Sequence, residues 1–224
     1  MPQLSKHVFL KKKNKILLLQ NKALELSMFL SLPASVALIV GSEQIISALF
    51  GYGSFDELSV SNSANALYYF GLGLPAFALI KVFSTFFFAN QDTKTPFYIS
   101  LISVILNILI SIYFFRDIGF IIIPIATTIS SWFNAIVLFV YLKNKNLFNF
   151  NNQFFAKFLK IFFTSLLMGI FFNYLILFFE NELIYEHNLK SIYLIFSAFL
   201  SFIFYLSFSL FIKAFKYDDI KLKY

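Results

Sequence analysis

One lysine and several polar side chains inside apolar runs are the residues whose types and spacing could do chemistry. Lys81 lies within such a run, where a charge costs about 2.5–3.5 kcal/mol on membrane-insertion scales. Because Asn90 is nine residues further on, the ammonium cannot reach water at that end simply by extending. It should therefore face protein or a wet cavity, with Ser84 and Thr85 one turn away. Two interpretations remain open: a role on a polar path, and a structural lysine that extends toward the membrane surface.

Polar stripes at helical spacing run along four of the apolar segments. Their members are Ser100, Ser103, Asn107 and Ser111; Thr127, Ser131 and Asn134; Ser165, Gly169 and Asn173; and Ser197, Ser201, Tyr205 and Ser209. Small and hydroxyl residues let membrane helices approach and hydrogen-bond, which is the simpler interpretation. The alternative is the lining of a polar path or cavity. The candidates for such a path are Lys81, Ser84, Asn107 and Asn134.

The elements that must position these residues are membrane-spanning helices. The chain is 59% hydrophobic and 13% charged, whereas a soluble domain carries about 25% charged residues. Its long apolar runs each approach or exceed the roughly 30 Å hydrocarbon thickness of a bilayer. The sequence predicts an all-α, polytopic membrane protein with six spans, at 24–49, 64–89, 96–115, 118–142, 154–179 and 191–212.

Prolines and polar interruptions mark the expected helix boundaries. Pro33 and the run Gly41-Ser42-Glu43-Gln44 predict a kink or break in the first span. The glutamate and glutamine of that run either satisfy backbone groups at the break or face an outer vestibule. The second span ends in a polar turn after Asn90, for which we expect Thr95 as the N-cap of the third span and Pro96 as its first helical residue.

Charge alternates from loop to loop along the chain. Lysines dominate the first 22 residues, the loop after the fourth span and the C-terminal tail, whereas carboxylates dominate the loops after the first and fifth spans. The positive-inside rule then places both termini in the cytoplasm, in agreement with an even number of spans. The net charge of +7 therefore indicates contact with membrane lipids rather than with nucleic acid. We expect Glu25 to pair with Lys22 or to lie at a solvated helix end.

Motifs of enzymes and metal sites are absent from the sequence. It contains no HExxH, GxSxG or Walker loop, and no cysteine. His7 and His187 fall on opposite sides of the predicted membrane and cannot share a metal. The acidic cluster of Glu180, Glu182 and Glu186 is interpreted as a solvated loop, with a Ca²⁺ site as the weaker alternative. The residues thus predict no catalytic group and no cofactor, and they leave the coupling ion of any transport open.

Several motifs in combination resemble the MurJ (MviN) family of lipid II flippases, within the MOP exporter superfamily. Residues 2–6 resemble the family's PxLS turn, 31–36 its LPAS pattern and 49–55 its LFxxGxF loop. Residues 71–96 resemble its GL…KV…FYAxxDTKTP signature, with Phe88 in place of the usual tyrosine. The order and spacing agree over residues 1–145, and the last two spans fit by position and hydropathy. The signature turn includes Asn90, Asp92, Thr93, Lys94 and Pro96.

This resemblance implies a transporter and not an enzyme. Such a protein moves an undecaprenyl-pyrophosphate-linked peptidoglycan precursor across the bacterial inner membrane by alternating access. Other MOP exporters of lipid-linked polysaccharide or drugs, and a non-transporting membrane remnant, remain alternatives. The essential arginines of the family lie mostly in its first lobe and in helices seven and eight, which this chain would lack. Arg116, its only arginine, is expected in a short outer turn.

The resemblance further implies that the chain is a fragment, the C-terminal lobe with helices nine to fourteen of a fourteen-helix protein. Met1 directly before Pro2 then fits an interrupted or split reading frame, or a cut. We expect a cytoplasmic basic segment at 1–22, helices nine to twelve at 23–145, a final helix pair with a lipid-tail groove at 146–214, and a cytoplasmic tail at 215–224. The implied partners are the lipid-linked precursor, membrane lipids and the missing N-terminal lobe.

Overall fold

Helices account for almost all of residues 13–214, which are the residues that a computed structural model describes. This range contains no strand. The PxLS turn and the tail at 215–224 lie outside it, as does most of the basic segment. The α-helices of the described range are α1 (Lys13–Val40), α2 (Ser42–Phe50), α3 (Glu57–Ala89), α4 (Lys94–Ile118), α5 (Ile122–Asn144), α6 (Asn152–Phe178) and α7 (Lys190–Phe211).

The described residues form five helical runs that are long and apolar enough to cross a membrane. The longest of these, Lys94–Asn144, folds back on itself as the α4–α5 hairpin. Its reversal is the 3₁₀ turn Gly119–Ile121, in which Gly119 has a φ of 75° that a residue with a side chain rarely adopts. Each arm is long enough to span, with 25 and 23 residues. The prediction of six spans in an all-α membrane protein is therefore confirmed.

The helices pack side by side in the order α4, α5, α3, α1, α6, α7, with each contacting mainly its neighbours in that order. The short helix α2 contacts both α3 and α7. The six long helices, α1 and α3 to α7, alternate in direction along the chain, so the loops that join them alternate between two ends of the bundle. We call them the lysine-rich end, where α1 begins and α7 ends, and the acidic end, where Asp56, Glu57 and Glu180 lie. The charge alternation of the loops thus becomes a separation between the two ends.

The predicted break in the first span occurs at Gly41, between α1 and α2. A Cβ atom at this position would lie 2.6 Å from Cε1 of Phe172 in α6. A side chain at position 41 would therefore displace the ring of Phe172, which packs against the glycine. The break lets α2 change direction and reach α7 at the acidic end.

Two prolines inside helices leave backbone carbonyls that neighbouring helices satisfy. Pro33 has no N–H to donate to the carbonyl of Phe29, one turn earlier in α1. The hydroxyl of Tyr205 in α7 donates to this carbonyl at 2.8 Å, and Tyr205 is fully buried. Because hydrocarbon supplies no water, an unsatisfied carbonyl there would be costly. Pro33 is therefore tolerated inside α1 because α7 packs against α1.

Pro75 creates the same situation in α3, one turn after Gly71. The hydroxyl of Ser35 in α1 donates to the Gly71 carbonyl at 2.7 Å. From the other side, Thr128 and Trp132 of α5 donate to the carbonyls of Tyr69 at 2.6 Å and Leu72 at 3.1 Å. Both neighbours of α3 thus donate hydrogen bonds to its backbone just before Pro75.

The start of α4 differs from the prediction that Thr95 is its N-cap. The helix begins at Lys94, with Thr93 as the N-cap, and Pro96 is the third helical residue instead of the first. The side chain that accepts hydrogen bonds here belongs to Asp92, whose two oxygens accept from the Thr95 N–H at 3.0 Å and the Thr95 hydroxyl at 2.7 Å. The prediction was wrong because the carboxylate is the stronger acceptor and the helix starts two residues earlier.

Candidate functional site

A polar groove of about 440 Å³ lies between α3, α4 and α5. The stripes predicted on α4 and α5 face each other across it, so Asn107 and Asn134 line the same groove. Phe77 and Ile80 of α3 form its apolar side. The polar groove is lined on its hydrophilic side by Ser100, Ser103, Asn107, Thr127, Ser130, Ser131 and Asn134.

Asn107 links the two helices of the hairpin through its amide. Its Nδ2 donates to Oγ1 of Thr127 at 3.0 Å and to Oγ of Ser130 at 3.3 Å. Its Oδ1 accepts from the hydroxyl of Ser111 at 3.4 Å. These bonds use the hydrogen-bonding capacity of Asn107 within the hairpin, which supports the packing interpretation of its stripe.

Asn134 has a free acceptor in the same groove. Its Nδ2 donates weakly to Oγ of Ser100 at 3.4 Å, whereas its Oδ1 has no hydrogen-bond partner among the described residues. The side chain is only 6% exposed, and an unsatisfied buried acceptor costs about 1–3 kcal/mol. The groove therefore holds an unused acceptor, but Oδ1 is itself buried, and a hydroxyl, an amide or a water reaches it only after the lining side chains shift. Its lining contains no lysine or arginine, so it offers no compensating charge to a phosphate.

Lys81 and Ser84 do not line this groove. Lys81 is exposed on α3, and the hydroxyl of Thr85 donates to its backbone carbonyl at 2.7 Å. Its ammonium has no partner among residues 13–214, and Ser84 is half-buried one turn away. The structure thus brings Asn107 and Asn134 together and leaves Lys81 on an open face. A path role for Lys81 stays a prediction.

The signature turn fastens α3 and α4 to the end of α5. Asn90 donates from Nδ2 to the carbonyl of Phe86 at 2.8 Å, and Asp92 Oδ2 lies 2.8 Å from Nζ of Lys145. This ammonium also donates to the Thr95 hydroxyl at 3.3 Å. The hydrogen bond from Lys145 and that from the Thr95 N–H lower the pKa of Asp92 from 3.8 to about 2. Lys94 is exposed, Thr93 is exposed and Pro96 is buried, so the turn acts as a structural joint.

We predict a pH-dependent stability from this joint. The pKa of Asp92 is lowered in the folded state, so the contribution is complete above about pH 4 and is lost as the pH falls through about 2. At pH 7, Asp92→Asn should lose about 0.5–1 kcal/mol, because both partners are partly exposed and asparagine still accepts from Thr95. Asp92→Ala should lose about 1 kcal/mol more, since it also removes the helix cap.

Thermal unfolding of the purified chain in detergent between pH 7 and pH 2 measures both effects. The difference between wild type and Asp92→Asn should shrink below pH 4 and vanish near pH 2. Lys145→Gln is the matched control, and in its background Asp92→Asn should have little further effect. A constant difference across this pH range would contradict the assignment of the shift to the Asp92–Lys145 pair.

Further contacts hold the α5–α6 loop at the lysine-rich end. Gln20 Nε2 donates to the carbonyl of Leu147 at 3.0 Å, and Asn21 Nδ2 donates to that of Asn149 at 3.0 Å. Glu25 forms a 2.7 Å ion pair with Lys157 of α6. The sequence did not indicate Lys157 as the partner of Glu25, because the two residues are 132 positions apart and no local pattern links them.

At the acidic end, Lys190 is fully buried although sequence reasoning did not single it out. Its ammonium donates to the carbonyl of Gly51 at 2.7 Å and to that of Tyr185 at 2.5 Å. It also lies 4.4 Å and 4.5 Å from the ring centroids of Tyr52 and Tyr185. One lysine in a loop rich in carboxylates was the available signal. In the described range no three His, Cys, Asp or Glu side chains are grouped so as to hold a metal.

Together, the antiparallel apolar helices, the hydrogen-bonded carbonyls before the two helical prolines and the polar groove between helices define a multi-pass helical membrane protein. A family model described as "Lipid II flippase MurJ" matches residues 1–215. The chain belongs to this family, as the motifs had indicated.

Individual relatives agree with this assignment. The chain is 42% identical over 124 residues to a probable lipid II flippase MurJ from Rhizobium meliloti, covering 55% of this chain and 23% of the relative. It is 31% identical over 175 residues to one from Buchnera aphidicola subsp. Baizongia pistaciae, covering 78% and 33%. A solved structure titled "Lipid II flippase MurJ, inward closed conformation" matches with a TM-score of 0.73 and 26% identity, covering 94% of this chain and 41% of that one. The chain thus spans well under half of the length of these relatives.

Proposed function

We propose that this chain is the C-terminal lobe of a lipid II flippase in the bacterial inner membrane, with both termini in the cytoplasm. The observation that carries the proposal is the family match over residues 1–215 together with the fold match over 94% of the chain. The transported molecule would be the undecaprenyl-pyrophosphate-linked peptidoglycan precursor. The chain would act as a transporter lobe and not as an enzyme.

The polar groove supports a division of labour with the N-terminal lobe. Its hydroxyl and amide lining suits neutral polar groups such as sugar hydroxyls and amides. Oδ1 of Asn134 has no hydrogen-bond donor among the described residues. A diphosphate needs cationic partners, which this lining lacks. We therefore assign the phosphate charge to the missing lobe, and contact with the neutral headgroup to this groove.

The lipid-tail role of the final helix pair is supported by an apolar cavity of about 180 Å³ between α1, α6 and α7. It is lined by Phe29, Pro33, Met168, Phe172 and Phe202, among others. A hydrocarbon chain would suit this lining because its own apolar surface would contact apolar side chains there and would bury few polar groups.

Complementation of a flippase-depleted cell tests the proposal. We expect co-expression of this chain with a matching N-terminal lobe to restore growth, and either part alone to fail. Asn134→Leu should lower complementation about tenfold, because it removes the free acceptor and fills the groove. Ile136→Leu is the matched control, since Ile136 lies on the exposed face of the same helix.

Equal accumulation of the variants in the membrane must be shown by immunoblot. Failure of the paired lobes where an intact homologue succeeds would overturn the proposal. Build-up of a different glycolipid after depletion would favour another exporter of the superfamily.

A further inference from the structure

A pocket of about 530 Å³ opens at the acidic end, separate from the polar groove. It lies between α2, the first turns of α3, the end of α6 and the loop before α7. Its apolar wall includes Ile176 and Leu183. The polar residues that line it are Glu43, Gln44, Ser47, Glu57, Ser61 and Glu180. The structure thus answers one question left open by the sequence, because Glu43 and Gln44 face a vestibule at this end.

Ser47 shows that the pocket has an unmet hydrogen-bonding demand. The side chain is 6% exposed, and its Oγ has no partner within the described structure. Three other buried serines on the helices are bonded, because the hydroxyls of Ser103, Ser165 and Ser201 each donate to the carbonyl one turn earlier at 2.8 Å. The Oγ of Ser31 in α1 is also buried without a partner among the described residues, but Ser31 does not line this pocket. A buried hydroxyl without this bond costs about 1–3 kcal/mol unless a ligand or water binds it.

The charge of the pocket selects the class of ligand. Three carboxylates line it, and no lysine, arginine or histidine does. Lys190 is close in the chain to the lining residue Tyr185, but its ammonium is occupied by the Gly51 and Tyr185 carbonyls. A cation is therefore favoured, and its attraction is strengthened by the apolar wall, which lowers the local dielectric.

The dispersion of the carboxylates argues against a bare metal ion. Residues 13–214 contain no group of three potential ligands close enough together to hold one. The volume of about 530 Å³ is also that of a site for a small organic molecule, which ranges from about 300 to 1,000 Å³. A ligand with a charged end and an apolar body matches both halves of the lining.

We propose that this pocket binds a primary ammonium group carried on an organic body. The ammonium donates to the free Ser47 hydroxyl oxygen and to one neighbouring carboxylate, and the carbon chain lies against Ile176 and Leu183. The remaining carboxylates attract the cation through their charge. Two sources share this chemistry: the ethanolamine headgroup of a lipid and a soluble amine. The proposal does not depend on the transport function, because the pocket and the polar groove share no lining residue.

Calorimetric titration of the full chain with spermidine, in nanodiscs of choline lipids, tests the soluble arm. We expect saturable binding that weakens as ionic strength rises. Ser47→Ala and Glu43→Gln/Glu57→Gln/Glu180→Gln should each weaken it about tenfold or more, a loss of at least about 1.4 kcal/mol. Glu186→Gln is the matched control: this exposed carboxylate of the same loop does not line the pocket, so binding should be unchanged.

Nanodiscs that contain ethanolamine lipids test the other arm. If the headgroup is the natural ligand, these lipids compete with spermidine, and choline lipids do not, because their quaternary nitrogen has no N–H to donate. Wild-type affinity in the triple glutamine variant, or Mg²⁺ competition at the affinity of spermidine, would overturn the proposal. So would the absence of binding in both arms. Size-exclusion profiles and helical circular dichroism confirm that each variant is folded.

Discussion

Lys190→Met should destabilise the acidic end by about 2–4 kcal/mol. The variant leaves the carbonyls of Gly51 and Tyr185 without their donor, and each buried unsatisfied acceptor costs about 1–3 kcal/mol. It also removes the cation–π contacts with Tyr52 and Tyr185, worth about 2 kcal/mol when desolvated. Methionine relieves the desolvation cost of the buried ammonium, which offsets part of this loss. The carbonyls and rings outweigh that relief because the lysine joins the α2–α3 loop to the start of α7, where the 2.6 Å hydrogen bond between Tyr52 and Ser191 is another side-chain link.

The midpoint of SDS-induced unfolding in mixed micelles measures this effect. Limited proteolysis should show new cleavage in the loops at 51–56 and 183–189 and leave the lysine-rich end intact. Lys94→Met is the matched control, because that lysine is exposed and its loss should change the stability by no more than about 0.5 kcal/mol. Equal midpoints for Lys190→Met and wild type would show that Lys190 does not stabilise the contact between the α2–α3 loop and the start of α7.

Gly169→Ala should destabilise the packing of α1 on α6 by about 1–3 kcal/mol. A Cβ atom at Gly169 would lie 2.3 Å from Cγ1 of Val36, closer than two carbon atoms can approach. The helices must then separate or Val36 must change rotamer. Gly169→Leu should cost more, since leucine adds further carbon atoms at a position where a Cβ atom already meets Val36.

A double-mutant cycle makes this prediction specific. Val36→Ala removes the clashing methyl groups, so Gly169→Ala should cost much less in that background than in the wild type. Ile170→Val on the exposed face of α6 serves as the control and should be close to neutral. An unchanged cost of Gly169→Ala in the Val36→Ala background would mean that the glycine is needed for a reason other than this contact.

The spans were predictable because their signals are local. Length, apolarity and proline position identify a helix without knowledge of its neighbours, so the break at Gly41 and the two arms of the α4–α5 hairpin were within reach of the sequence. The prediction of Thr95 as the N-cap was wrong because two possible capping residues, Asp92 and Thr95, lie within one turn. The Asp92 carboxylate accepts the hydrogen bond from the Thr95 N–H. Local sequence was therefore sufficient to predict where the helices lie, but not to predict the first residue of α4.

The site depended on pairings that no local signal carries. Two polar stripes on adjacent helices were visible, but whether they faced each other, lipid or a third helix depended on the rotation of each helix. Lys190 illustrates the same limit, because its partner Gly51 is 139 residues away. Oδ1 of Asn134 and Oγ of Ser47 have no hydrogen-bond partner among the described residues, and only a structure can show this.

The bond between Tyr205 and the Phe29 carbonyl has a consequence for biosynthesis. The two residues are 176 positions apart, so at ribosomal speeds of about 5–20 residues per second roughly ten to thirty-five seconds pass between them. During that interval the carbonyl of Phe29 lacks this donor. Helix α1 therefore gains the hydrogen bond only after α7 has been made, and a nascent chain that stops before α7 would keep the Phe29 carbonyl without the Tyr205 hydroxyl.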